Sequence, residues 1–178
     1  MATEIQGAKI VVAEIENAAG ANPYSITLTA EQATTSNSSI IFGSIPSGVK
    51  KITIMLDQVS TSGTSNRVIQ IGDSSGIETS GYVGSVSRDS GATTNFSASF
   101  IFETEGNAAI AHTGIIELCL EDSSGFTWIA SGNIADPGST ANYFLAGSKS
   151  LSAELTQISL TTAGGSDTFD AGVASIQF

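Results

Sequence analysis

The sequence predicts an all-β fold, namely an antiparallel β-sandwich of jelly-roll or Greek-key-like topology. Glycine is frequent (19 residues) and proline is rare (3 residues), and glycine supplies the positive φ angles that tight turns require. Short runs of β-branched and aromatic residues recur along the chain, and each is bounded by Gly, Ser, Asn or Asp. The sequence pattern does not alternate strands with helices, as a parallel α/β sheet would require.

The chain has 178 residues, a length that suits one domain burying about 70% of its unfolded surface. Charged residues make up 13% and hydrophobic residues 40% of the chain, which is the composition of a folding sequence rather than a disordered one. We expect residues 23–178 to form the sandwich and residues 1–22 to form an N-terminal arm. Within the arm, residues 10–12 and Ile15 fit an amphipathic helix nearly as well as a strand.

The first two predicted strands are residues 24–30 and 38–44, which flank the polar loop 31–37. The clearest strand is residues 51–57, because its apolar and polar side chains alternate strictly and so leave one face in water. The later predicted strands are residues 67–73, 95–102, 115–121, 126–132, 141–147, 149–162 and 168–178.

Residues 95–102 predict a single strand, since Phe96, Ala98, Phe100 and Phe102 alternate with polar residues. An aromatic alternation of this length is typical of a strand that lies against the core of a sandwich.

The tetrapeptide Asp-Ser-Ser-Gly occurs at residues 73–76 and again at 122–125. The flanking residues differ, so we interpret it as one type of turn used twice rather than as an internal repeat. The second copy separates two apolar runs and predicts a hairpin whose turn is closed by Gly125 in the left-handed region.

The charge balance argues against nucleic acid and anionic membranes as partners. Six basic residues against 17 acidic ones give a formal net charge of −11, and an acidic surface repels phosphates. The first 20 residues do not combine a basic start with an apolar core, as a signal peptide would, and the sequence lacks an apolar run long enough to span a bilayer. We therefore expect a soluble protein made in the cytoplasm.

The chain has one cysteine and one histidine. Cys119 lies in an apolar run, where a thiol is expected to be a small buried hydrophobe, and one cysteine cannot form an internal disulfide. His112 is the only histidine and precedes an apolar strand. We expect it to be a strand-edge residue with a hydrogen bond, since a base or a metal ligand needs partners at defined spacing.

Residues 72–76 satisfy the Gly-x-Ser-x-Gly pattern of a nucleophile elbow, with Ser74 at its centre. An elbow requires a helix directly after the serine and a base within reach. Residues 77–81 continue as a turn-rich segment, so the pattern does not predict a nucleophile.

The remaining candidates also favour structural roles. Residues 121–122 and 167–170 carry carboxylates, but they lack the spacing of a calcium loop. Lys149 is expected in a turn, because the spacing of a phosphate-binding loop is not met. Tyr82, Tyr143 and Trp128 would stack on sugars only if they were exposed together, and a tryptophan on an alternating strand is more often in the core. We predict no catalytic, cofactor-binding or metal-binding residue.

Two stretches resemble a β domain found in virion proteins of tailed bacteriophages. The first begins with Ile-Pro-Ser-Gly at residues 45–48 and continues through Ile-Glu-Thr-Ser-Gly-Tyr at residues 77–82. The second runs from residue 149 to the Asp-Thr-Phe-Asp-Ala-Gly motif at residues 167–172 and the closing apolar strand. The resemblance spans about residues 40–178. It implies a virion component, either on the particle itself or at the end of a tail fibre, and it implies no catalytic residues.

The favoured hypothesis from the sequence is a capsid decoration, or cement, protein that bridges neighbouring major capsid subunits. Its expected partner is the major capsid protein or another virion protein. A head lattice offers threefold positions, so a homotrimer is expected. The alternative is a tail-fibre or receptor-binding tip that recognises a bacterial surface glycan. An enzyme is a third hypothesis, which lacks an acid–base pair or an activated nucleophile in the sequence.

Overall fold

The computed structural model describes residues 26–178, and the predicted arm, residues 1–22, lies outside this range. The described residues form two antiparallel sheets that pack together and contain no helix. The predicted antiparallel β-sandwich is therefore confirmed.

The larger sheet has eight strands in the order β1-β13-β3-β9-β10-β11-β6-β7, and the smaller sheet has β2-β12-β4-β5 with β8 also paired to β4. Numbered along the chain, the strands are β1 Gln32–Ala33, β2 Ser39–Phe42, β3 Lys51–Thr61, β4 Arg67–Asp73, β5 Gly76–Ile77, β6 Tyr82–Arg88, β7 Thr93–Phe96, β8 Phe100–Ile101, β9 His112–Asp122, β10 Thr127–Asp136, β11 Ala141–Ser150, β12 Gln157–Thr162 and β13 Phe169–Gln177.

The larger sheet contains a Greek key. Strands β9, β10 and β11 are joined consecutively, and β6 pairs with β11 although its connection to β9 is long. Two pairs of consecutive strands connect the sheets. Strands β3 and β13 pair in the larger sheet, and the strands next to them in sequence, β4 and β12, pair in the smaller sheet. Two ribbons therefore run side by side from one sheet into the other.

The core fills the space between the sheets. Along β3, Ile52, Ile54 and Leu56 are buried while the residues between them are at least partly exposed, as the period of a half-buried strand requires. Trp128 is buried in the same core, which confirms its predicted structural role.

Residues 95–102 form two strands rather than the predicted one. Strand β7 belongs to the larger sheet and β8 to the smaller sheet, and residues 97–99 cross between them. Phe96 and Phe100 are both buried and meet edge to face, with ring centroids 5.8 Å apart. The predicted strand 149–162 is likewise divided, because β11 ends at Ser150 and β12 begins at Gln157.

The predicted strand 24–30 is absent from the described part of the chain, where only Leu28 forms an isolated bridge with Gln177. The first strand instead lies in the predicted loop 31–37, where Gln32 and Ala33 pair with β13. The short β-branched run before this loop still follows the sheet edge, since Thr27 and Phe178 exchange two backbone hydrogen bonds.

The two Asp-Ser-Ser-Gly turns contain the same hydrogen bond, as expected for one type of turn used twice. The carboxylate of Asp73 accepts the N–H of Ser75 at 2.7 Å, and that of Asp122 accepts the N–H of Ser124 at 2.8 Å, which is the hydrogen bond of an Asx turn. The predicted hairpin between β9 and β10 is present, but the left-handed residue is Phe126, with φ 49°, and not Gly125.

Candidate binding surface

The eight-stranded sheet packs against the smaller sheet on one side, and its other side is its outer face. Its side chains belong to alternate positions of the strands, because those between them point into the core. Large apolar side chains remain exposed on this face, at Ile115, Ile129, Phe144 and Val83. Exposed apolar residues gathered on one face indicate an interaction surface rather than scattered surface residues.

One half of this face, over β13, β3 and β9, carries grooves and charges. Leu28, Met55 and Val173 line a groove beside the first described residues, and Ile26 and Leu28 are 70% and 63% exposed. We call this region the grooved half. Ile26, the first described residue, lies at the border of this half.

An exposed ion pair crosses the grooved half. The ammonium group of Lys51 on β3 lies 2.5 Å from the carboxylate of Glu117, which is diagonally placed on the adjacent strand β9. The hydrogen bond from the Lys51 side chain to Glu117 raises the pKa of Lys51. Both side chains are about half exposed, so water screens their attraction.

The other half of the outer face is uncharged. We call it the uncharged face and define it as the outward side chains of β10, β11, β6 and β7. These are Thr127, Ile129, Ser131, Asn133 and Ala135, then Asn142, Phe144, Ala146, Ser148 and Ser150, then Val83, Ser85 and Ser87, and finally Thr93 and Asn95.

A second group of polar residues is enclosed within the sandwich. Arg67 and Glu103 have no exposed side-chain surface, and His112 and Asp136 are buried close by. Glu103 accepts the backbone N–H of Arg67 at 2.8 Å, and the guanidinium donates to the carbonyl oxygens of Asn107 and Ile110.

Burial shifts the pKa values of this pair towards the neutral forms. It lowers the pKa of Arg67 and raises that of Glu103, although each charge opposes the shift of the other. The guanidinium lies 3.7 Å from the carboxylate. Because these groups are enclosed, the arrangement fits the interior of a fold better than a site that a substrate could reach.

His112 is not the hydrogen-bonded edge residue that the sequence predicts. Its side chain is fully buried at the start of β9, between Phe102 and Tyr143. Neither ring nitrogen has a hydrogen-bond partner among the described residues. Burial, together with the nearby charge of Arg67, lowers the pKa of His112 to about 4.

Cys119 is exposed, so the prediction that it is buried was wrong. It lies on the outer face of β9, opposite Ile129 of β10 and Lys51 of β3. Its side chain therefore borders the uncharged face.

Ser74 lies in a tight turn between β4 and β5, so a strand follows it and not the helix of a nucleophile elbow. The neighbouring Asp73 accepts hydrogen bonds from Ser152 and Ser75, which lower its pKa. His112 lies in the larger sheet and Ser74 beyond the smaller one. The structure does not bring these two predicted candidates into contact by any hydrogen bond among the described residues.

The aromatic candidates and Lys149 are buried. Tyr82 and Tyr143 are no more than 2% exposed, so they cannot present a platform for sugars. Lys149 is also buried, within β11 rather than in the predicted turn. Its ammonium group pairs with Glu78 and lies 5.6 Å from the centroid of the Tyr82 ring, a cation–π distance.

The acidic candidates make hydrogen bonds within the fold. Asp122 binds its own turn, Asp167 accepts the N–H of Ser65 at 2.8 Å, and Asp170 accepts the hydroxyl of Ser60. Within residues 26–178, no group of three or more His, Cys, Asp or Glu side chains is placed to hold a metal ion. The same residues contain no helix that is both long and apolar enough to cross a membrane.

The outer face is the feature that the sequence analysis did not identify. A signal for it exists, because the odd-numbered positions of residues 127–135 are all uncharged and three of them are Thr, Ser and Asn. Comparison with models of protein families, with curated protein sequences and with solved structures finds no match to this chain.

Proposed function

We propose that this chain is a non-enzymatic structural protein of a bacteriophage virion, and that it decorates the head by binding the lattice of the major capsid protein. The observation that carries the proposal is the wide outer face of the eight-stranded sheet, with exposed apolar residues such as Ile115 and Phe144. The proposal that the particle is a bacteriophage virion rests on the resemblance of residues 40–178 to a β domain of tailed-bacteriophage virion proteins. The protein would be made in the host cytoplasm and would act on the virion.

The grooved half is the proposed contact with the capsid protein. Within the described residues, the groove lined by Leu28, Met55 and Val173 is an apolar depression of this half. An apolar groove with a polar border has the composition of protein–protein interfaces.

A non-catalytic role is supported by the surroundings of the reactive residue types. His112 and Arg67 are enclosed, and Ser74 lies in a hydrogen-bonded turn. The tail-fibre alternative is less well supported, because Tyr82, Tyr143 and Trp128 are buried and cannot stack on a glycan.

Immunogold labelling tests the location. An antibody raised against the purified full-length chain is applied to particles produced by cells that carry the encoding genome. We expect label over the whole head. Label confined to the tail tip would support the glycan-binding alternative against decoration, and particles free of label would overturn a virion role altogether.

Add-back to heads that lack the protein tests the contact surface. The full-length chain with Leu28→Asp should bind such heads roughly tenfold or more weakly, a loss of about 1.4 kcal/mol, because it places a carboxylate in the groove. Ile41→Asp is the matched control, since Ile41 is similarly exposed on the smaller sheet. Equal binding by the two variants would show that the grooved half is not the contact.

A further inference from the structure

We infer that the uncharged face is the surface through which copies of this chain associate with one another. The inference goes beyond attachment to a capsid, because it concerns the purified protein alone. It starts from the charge of the molecule. Each copy carries a formal net charge of −11, so two copies repel each other, and contact between acidic faces would desolvate unpaired carboxylates.

The uncharged face avoids this cost. Three charged residues do occur on the same four strands. Lys149 and Asp136 are directed inwards and are buried, at 5% and 1% exposure, and Arg88 at the end of β6 is paired with Glu105. The Lys51–Glu117 pair lies on the grooved half. The outward side chains of these four strands therefore carry no carboxylate, and Glu117, opposite Ser131 at the border of the face, is paired with Lys51. An uncharged centre fits a partner of the same negative charge.

The apolar residues of the face supply the attraction. Ile129 and Val83 belong to one cross-strand row, with Ser148 between them, and Phe144 lies two outward rows away, between Asn133 and Ser87. Phe144 and Ile129 are 48% and 42% exposed, so each has apolar surface left to bury at about 25 cal/mol per Å². These three side chains would be the apolar anchors of a contact, and interfaces concentrate their binding energy in a few such residues.

The polar residues of the face suit contact with an identical surface. Ser131, Asn133, Ser85 and Asn95 carry hydroxyl and amide groups, each of which both donates and accepts hydrogen bonds. A surface of such groups can form hydrogen bonds with a rotated copy of itself, because each group can act as donor or as acceptor. Symmetric oligomers place this demand on their interfaces, and sheets can pack face to face at about 10 Å.

The mass of the full-length protein in solution tests the inference. Size-exclusion chromatography with light scattering should give the native protein a mass of at least twice 18.1 kDa, the mass of one chain. Phe144→Asp should reduce this to the mass of one chain. Ile41→Asp, on the outer face of the smaller sheet, should keep the native mass. Circular dichroism melting confirms that each variant is folded, and Ser131→Glu replaces Phe144→Asp if that variant is not.

The thiol of Cys119 gives a second measurement. Because it borders the uncharged face, its reaction with a thiol reagent should be several-fold slower in the native oligomer than in the single-chain variant. A threefold mass would also confirm the trimer predicted from the sequence, while a twofold mass would keep the face and replace the trimer by a dimer. A native protein with the mass of one chain overturns the inference. So does an oligomer that both Phe144→Asp and Ser131→Glu leave intact.

Discussion

The hydroxyl of Tyr82, on β6 of the larger sheet, accepts a hydrogen bond of 2.8 Å from the backbone N–H of Ile71, on β4 of the smaller sheet. The same hydroxyl donates to the carbonyl oxygen of Glu78 at 2.9 Å. A single side chain thus crosses the core and ties the two layers. Its ring packs edge to face on Phe100, with centroids 4.8 Å apart.

Replacing Tyr82 by Phe should lower the free energy of unfolding by about 1–3 kcal/mol, because it leaves a buried N–H without a partner. Urea denaturation followed by tryptophan fluorescence measures the change. Tyr143→Phe is the matched control, since the buried Tyr143 hydroxyl has no partner among the described residues. A loss of equal size in both variants would contradict the assigned role of Tyr82.

Stability should fall as the pH is lowered from about 6.5 to about 4. The pKa of His112 is about 4 in the folded protein and about 6.5 in the unfolded chain. The unfolded state therefore binds more protons across this interval, so protonation favours unfolding by up to about 3 kcal/mol. Urea denaturation at a series of pH values measures it.

His112→Phe should flatten this dependence, since Phe keeps an aromatic ring beside Phe102 and Tyr143 and does not titrate. The titrating and charged groups nearest to His112, namely Arg67, Asp136 and Glu103, remain in both proteins. Burial raises the pKa of Glu103, which opposes the trend in both. An unchanged slope in His112→Phe would show that another group is responsible.

Breaking the buried pair of Arg67 and Glu103 should be costly. Arg67→Met leaves an enclosed carboxylate without its cation and should destabilise the fold by about 3–5 kcal/mol. The double variant with Glu103→Gln should lose less than the sum of the two single changes, as a double-mutant cycle would measure. The exposed pair of Lys51 and Glu117 is the control, and the same cycle there should show little coupling.

Gly147→Ala should destabilise the larger sheet by about 1–3 kcal/mol through overpacking. Gly147 and Gly84 face each other on β11 and β6. A Cβ at Gly147 would lie 2.8 Å from the Phe96 ring and 2.6 Å from the carbonyl oxygen of Val83. Gly43→Ala is the control, because nothing lies within 4 Å of a Cβ there. Thermal unfolding of both variants measures the difference.

The sequence was sufficient for the fold class and for the strands in which polar and apolar residues alternate, such as residues 51–57. It was not sufficient for the crossing at residues 97–99. Phe96 and Phe100 point into an interior that both sheets share, so the apolar pattern of the sequence does not reveal the crossing, at which Ala98 is exposed and Ser99 is buried.

The predictions for Cys119 and His112 were wrong for different physical reasons. Cys119 lies in an apolar run, but Glu117 is two residues away and on the same side of the strand, a signal that could have assigned it to the outer face. His112 could not have been placed from sequence, because the residues that enclose it, Phe102 and Tyr143, come from distant parts of the chain.

The position of β13 between β1 and β3 has a consequence for how the chain acquires its structure. Strand β3 obtains its β9 neighbour first, but its other edge stays open until Phe169–Gln177 has been synthesised. Pairings between segments so distant in sequence slow folding. An open inner strand is also a template for pairing with other chains. Nascent copies are therefore most exposed to aggregation just before the final ribbon is added.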